Sequence, residues 1–177
     1  MRPDEIALYE ALGDDAMHNI RTVSVSWCAY STVIQCRSWL PDAVGGVAWI
    51  ALDNPGQSPR FPIFAGATEL PQMLGVCGQH RDREDAALWH YRKTNKLATV
   101  RWGTCRTSLE PARDYFLEKG ERELPMVEAS YSKLAGEGKD AEAAEMLNGY
   151  TRDFFGATIL KWEELGRTYW RQFWGGF

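Results

Sequence analysis

The chain has 177 residues, with 24 acidic against 20 basic side chains and a formal net charge of −4. That length suits a single unit able to bury a sizeable core. At 45% hydrophobic and 25% charged it is neither a disordered chain nor a coiled coil, and its mild acidity speaks against nucleic acid as a partner.

No run of 18 apolar residues occurs, and Met1-Arg2-Pro3-Asp4-Glu5 is not followed by a long apolar stretch, so neither a membrane span nor a secretory leader is expected. Cys28, Cys36, Cys77 and Cys105 form no close pair of the kind tetrahedral zinc uses, and four free thiols acting as small hydrophobes are expected. Unpaired thiols point to a reducing compartment such as the cytoplasm.

Charge and proline divide the chain near residue 80. Residues 1–80 hold 4 basic and 8 acidic residues and six of the eight prolines, whereas residues 81–177 hold 16 charges of each sign. The first part reads as strands and buried loops, the second as amphipathic helices, and the order of the two gives an α+β fold in one unit over 1–177.

In chain order, Asp4 to Leu12 reads as a short helix with Pro3 near its start and Gly13 after it. Val23, Val25 and Trp27 alternate with polar or small residues, which predicts a half-buried strand over 22–28. A second strand is expected over 32–39, forming a hairpin with the first. Leu40-Pro41-Asp42 breaks the pattern, and the apolar run from Val47 to Leu52 reads as a strand buried on both faces.

The segment 53–80 contains four prolines and the turn signal Asp53-Asn54-Pro55-Gly56. Within it, Ser58-Pro59-Arg60-Phe61-Pro62-Ile63-Phe64 is too rich in proline for a central strand. Beyond it, helices are expected over 82–102, 111–118 with Gly120 as its stop, and 124–135. A long helix from Lys139 to Phe173 should be kinked or broken at Gly149, Gly156 or Gly166.

No self-contained catalytic motif is present: there is no GxSxG, HExxH or GxxxxGK[ST]. His18, His80 and His90 lie in different segments, and His90, beside Trp89 and Tyr91, reads as a packing residue. Trp162, Trp170 and Trp174 read as helix packing or an interface.

Several segments together carry a resemblance. They are Arg21-Thr22-Val23-Ser24, the run from Ser31 to Pro41, Gly45-Gly46-Val47-Ala48-Trp49-Ile50-Ala51-Leu52, Pro59-Arg60-Phe61-Pro62-Ile63-Phe64-Ala65-Gly66 with Leu70-Pro71 beyond it, and Ala87-Leu88-Trp89-His90-Tyr91-Arg92-Lys93-Thr94-Asn95. Their order and spacing resemble the C-terminal part of the C69-family dipeptidases, to which the secernins are related. The resemblance implies an N-terminal-nucleophile hydrolase with an αββα sandwich, which cleaves small peptides without metal or cofactor through a cysteine whose own α-amine is the base.

Position 1 here is Met, and no cysteine precedes Cys28. The expectation is therefore a C-terminal portion whose nucleophile lies in the N-terminal part of the same polypeptide. Arg21 occupies the matching place of a pocket arginine that would lower the thiol pKa and bind a substrate carboxylate, with Arg37 and Arg60 as further candidates. The alternative is a stand-alone interaction domain using Trp162, Trp170, Trp174 and Phe177. An uncovered sheet would self-associate through strand 21–28 or 47–52, giving a homo-oligomer, or be capped by the Trp-rich helix.

Overall fold

The computed structural model describes residues 7, 8, 10–13, 23–78 and 81–174. Of the expected N-terminal helix, residues 7, 8, 10 and 11 are helical and Leu12 lies in a turn, and residues 4–6 and 9 lie outside the described residues.

The fold is α+β. Strands β1 (Tyr30–Cys36), β2 (Gly46–Leu52) and β3 (Phe61–Phe64) form an antiparallel sheet in the order β1-β2-β3. A single helical turn, α1 (Asp42–Gly45), links β1 to β2. Helices α2 (Ala87–Val100), α3 (Trp102–Gly136) and α4 (Asp140–Arg171) follow.

The register sets Ile34 against Ala48 and Val33 against Trp49, and on the other side Trp49 against Pro62. Proline lacks an N–H, and Pro62 is accommodated because β3 lies at the edge of the sheet. In β2, alternate residues Val47, Trp49 and Ala51 are buried, while Gly46, Ala48, Ile50 and Leu52 are only half-buried. The expected burial on both faces is thus reached on one.

The alternation at 23–28 does not make a strand. These residues form bends and turns, with Val23 and Trp27 exposed. The hairpin forms instead between β1 and β2, so the edge strand is two residues N-terminal of the expected 32–39 and the turn region takes in Trp39. Strand 47–52 is central and paired on both sides, so it offers no free edge.

The predicted helices at 111–118 and 124–135 are parts of one 35-residue helix, α3, that contains Pro111 and Pro125. Each proline removes an intrahelical hydrogen bond, a cost of about 3 kcal/mol. The offset is burial of Leu109, Ala112 and Phe116 around one and of Leu124 and Val127 around the other. Gly120 does not end a helix. It lies inside α3 under the indole of Trp49, where a Cβ would sit 2.7 Å from two ring atoms. Gly120→Ala should therefore destabilise the protein by about 1–3 kcal/mol through overpacking, measured as a shift of the urea midpoint.

Likewise α4 is uninterrupted. At Gly166 a Cβ would meet Thr94 Oγ1 at 2.5 Å, so this glycine allows close approach of α2 rather than a break.

The larger core cluster joins Phe61 of β3 to Tyr91, Leu109, Phe116, Phe154, Phe155, Trp162 and Tyr169 of the helices. A smaller one packs Val44, Val47, Trp49 and Phe64 on Leu124, Val127 and Leu147. Strand β1 belongs to neither. Val33 is 50% exposed and Ile34 70% exposed, and these neighbours point to opposite faces, so β1 is exposed on both faces, and among the described residues no strand pairs with its outer edge. The Trp-rich end of α4 does not close it, since Trp162 is fully buried among the helices while Trp170 and Trp174 are exposed.

Candidate functional site

The loop between β2 and β3 is fixed from below by a buried polar network. Asp53 follows β2 at φ 63°, a left-handed conformation that aspartate tolerates better than most residues. Its carboxylate, fully buried, accepts hydrogen bonds from Arg92 Nε at 2.7 Å and Asn95 Nδ2 at 3.0 Å. Asn95 also donates to Ser58 Oγ at 2.8 Å and accepts from the Trp162 indole N–H at 3.0 Å. Farther along, Gln57 donates to Thr99, and Arg113 Nη1 donates to the Gly56 carbonyl at 2.6 Å.

The same helix holds the segment ahead of β1. Arg92 Nη2 donates to the Cys28 carbonyl at 3.1 Å, Lys96 to the Ser26 carbonyl, and Asp53 N–H to the Ala29 carbonyl at 2.8 Å. Ser24 Oγ bonds Asn54 and accepts from Gly56 N–H.

Arg60 emerges from this loop at the head of β3, half-buried. Its Nη1 donates to the carbonyls of Trp49 at 3.2 Å and Ser31 at 3.4 Å, and its Nη2 to Ser31 Oγ at 2.9 Å. No carboxylate among the described residues pairs with it, and burial lowers its pKa from the usual guanidinium value. Arg60 lines a cavity of about 430 Å³ between the sheet and α3, with Val33, Gln35, Trp49, Leu117, Glu121 and Leu124. It also lines an adjoining space of about 180 Å³ that includes Arg113 and Asp114.

Arg37 is placed differently. It ion-pairs with Glu128, with both side chains largely buried, and its Nη2 donates to the Val44 carbonyl at 2.7 Å. It ties the end of β1 to α3 and α1, and its buried Nε–H has no acceptor. Arg21 lies outside the described residues, as do His18, His80 and Phe177. The structure thus does not bring the three candidate arginines into one described site; of Arg37 and Arg60, only Arg60 faces open space.

His90 is held at both ring nitrogens, Nδ1 by Glu163 at 2.7 Å and Nε2 by the Glu84 carbonyl at 2.9 Å, which matches a structural part between α2 and α4. Burial pushes the phenols of Tyr91 and Tyr150 above their ordinary range, with Glu123 adding to the effect at Tyr150. Neither supplies an acid or base near neutrality. The Cys105 thiol is fully buried and also raised by burial, the opposite of what a nucleophile needs. Among the described residues no three His, Cys, Asp or Glu side chains cluster as metal ligands.

Sequence reasoning did not single out the Asp53–Arg92–Asn95 network or the presence of Glu121 beside Arg60 in the lining of one cavity. The one available signal was the Asp53-Asn54-Pro55-Gly56 turn, which says nothing of the helix 40 residues on that completes it.

The described residues form an α+β unit, a three-stranded antiparallel sheet packed against helices with an arginine-lined cavity between the sheet and α3. The sequence profile of peptidase family C69 matches residues 6–114, more than half of the chain, and the chain belongs to that family. No curated protein matches it. The matched span takes in Arg21, Arg37, Arg60 and the Asp53 network, while Glu121 and the whole of α4 lie beyond it.

Proposed function

We propose that this chain is the C-terminal portion of a thiol dipeptidase of the N-terminal-nucleophile type. In this reading the N-terminal part of the same polypeptide brings the cysteine and completes an αββα sandwich. The observation that carries it is β1, a seven-residue strand in a chain of a peptidase family, exposed on both faces and with no strand on its outer edge among the described residues. An edge with no charge, proline or bulge is a ready template for pairing, and folded proteins cover such edges.

The reaction would be attack of the cysteine thiolate on the peptide carbonyl, with the α-amine taking the thiol proton, release of the amine product, and hydrolysis of the acyl-enzyme by water. The four cysteines here are all internal. Cys36 lies in β1 and Cys105 in α3, and Cys28 donates to the Tyr30 carbonyl at 3.1 Å, so none offers a free α-amine beside its thiol. Arg21, a few residues ahead of the segment gripped by Arg92 and Lys96, is the pocket arginine of this reading.

Two results test it. The isolated chain, assayed on a panel of dipeptides with and without reductant, should show no thiol-dependent turnover, and turnover above background would overturn the assignment. In the complete enzyme, Arg21→Ala should lower kcat/KM by about 10- to 100-fold while leaving the unfolding midpoint near its original value, because a charge-assisted contact is worth about 1.5–3 kcal/mol. Unchanged kinetics would remove Arg21 from the site.

The alternative, an interaction domain, keeps Trp170 and Trp174 as exposed aromatics. It loses Trp162, which is core.

A further inference from the structure

We propose that the cavity under β1 is a binding site for a small zwitterion with an apolar side chain, its carboxylate on Arg60, its ammonium on Glu121 and its side chain against Trp49. The site itself does not depend on the peptidase reading. Only the choice of a dipeptide over a free amino acid as the natural occupant rests on that reading.

The cavity holds one cation and one anion of its own, and neither is paired among the described residues. Arg60 spends three donor hydrogens on Ser31 and Trp49. Its Nε–H and second Nη2–H remain, and two adjacent guanidinium N–H groups match the two oxygens of a carboxylate. Loss of hydration at a half-buried guanidinium makes such an anion worth more there than at an exposed one. Glu121, one turn before the core residue Leu124 on α3, has no cation partner among the described residues.

Other charges nearby are already used. Arg113 pairs with Asp114 at 2.8 Å, and Arg37 pairs with Glu128. The lining also includes Val33, Trp49, Leu117 and Leu124, which suit an apolar side chain. The Trp49 indole donates to Gln35 Oε1 at 3.2 Å, which leaves the Gln35 amide N–H₂ free for a peptide carbonyl. A cavity of about 430 Å³ is larger than one amino acid requires and accommodates two residues. Charges of both signs in the lining of one largely apolar cavity select a zwitterion against either a simple acid or a simple amine.

The test is titration of the ¹⁵N-labelled chain with Gly-Leu, free leucine, N-acetyl-Gly-Leu and Gly-leucinamide, following the Trp49 indole N–H resonance. Gly-Leu should shift it and saturate. Acetylation of the ammonium, amidation of the carboxylate, Arg60→Gln and Glu121→Gln should each weaken binding about tenfold or more. Glu121 is exposed, so its variant keeps the fold whatever Arg60→Gln does to Ser31.

Leucine binding as tightly as Gly-Leu would support the site with an amino acid as its occupant. No Trp49 shift at millimolar Gly-Leu, or equal affinity in Glu121→Gln, would overturn the proposal. Binding at Trp49 with no turnover by the complete enzyme would sink the peptidase reading and leave the site standing. Turnover with no effect at Trp49 would do the reverse.

Discussion

Replacing Asp53 by alanine should destabilise the protein by about 3–5 kcal/mol, the cost of removing one member of a buried ion pair. The carboxylate is fully buried and bonded to both Arg92 and Asn95. Without it, the Arg92 guanidinium, itself only 14% exposed, keeps a charge with no counter-ion, and Asn95 loses an acceptor. Alanine also tolerates φ 63° less well than aspartate does. Asp53→Asn keeps the acceptor and the backbone tolerance, so it should cost less. The measurement is chemical denaturation of the three proteins. A cost below about 1 kcal/mol for the alanine variant would mean that water solvates Arg92 after all, and that the network is not what holds the loop ahead of Arg60.

Trp162→Ala should be equally damaging, at about 3–5 kcal/mol, because it empties the centre of the helical core. The ring lies 6.1 Å from Tyr91 and 6.4 Å from Phe116 by ring centroids, and its N–H is the donor to Asn95 Oδ1. Trp162→Phe restores much of the volume but leaves Asn95 Oδ1 without that donor, a cost of about 1–3 kcal/mol. Asp53 and Trp162 both bond Asn95, so the double variant should be non-additive. Additive losses, read from denaturation midpoints, would show that the two halves of the network act separately.

The elements legible in the sequence were those whose own side chains decide the outcome. Val47 to Leu52 and the long helix from residue 139 are apolar enough, in the right period, to form whatever their neighbours do. The 22–28 segment shows the opposite. Val23, Val25 and Trp27 alternate as a half-buried strand should, yet alternation makes a strand only where a partner strand is present to pair with, and among residues 23–28 none pairs. Pro111, Gly120 and Pro125 punctuate the sequence like helix ends. Tertiary packing on both sides of them outweighs that local preference, and Gly120 is explained only by an indole 71 residues away in the chain. The candidate site was half legible. Arg60 could be named from the resemblance, but its lack of a carboxylate partner among the described residues, the commitment of Arg37 to Glu128 and the place of Glu121 in the same cavity lining are consequences of packing between the sheet and α3, which no local pattern encodes.

The central claim, that β1 is an interior strand of the complete peptidase, is tested most directly by amide hydrogen exchange along Tyr30–Cys36. The antiparallel pairing with β2 leaves alternate N–H groups of β1 pointing away from the sheet. In the isolated chain these outward amides should exchange at nearly unprotected rates, while those bonded to β2 are slow. In the full-length polypeptide both sets should be protected, because a strand from its N-terminal part then pairs with them. Equal, fast exchange of the outward amides in both proteins would contradict the account and leave β1 as a true edge of the finished fold.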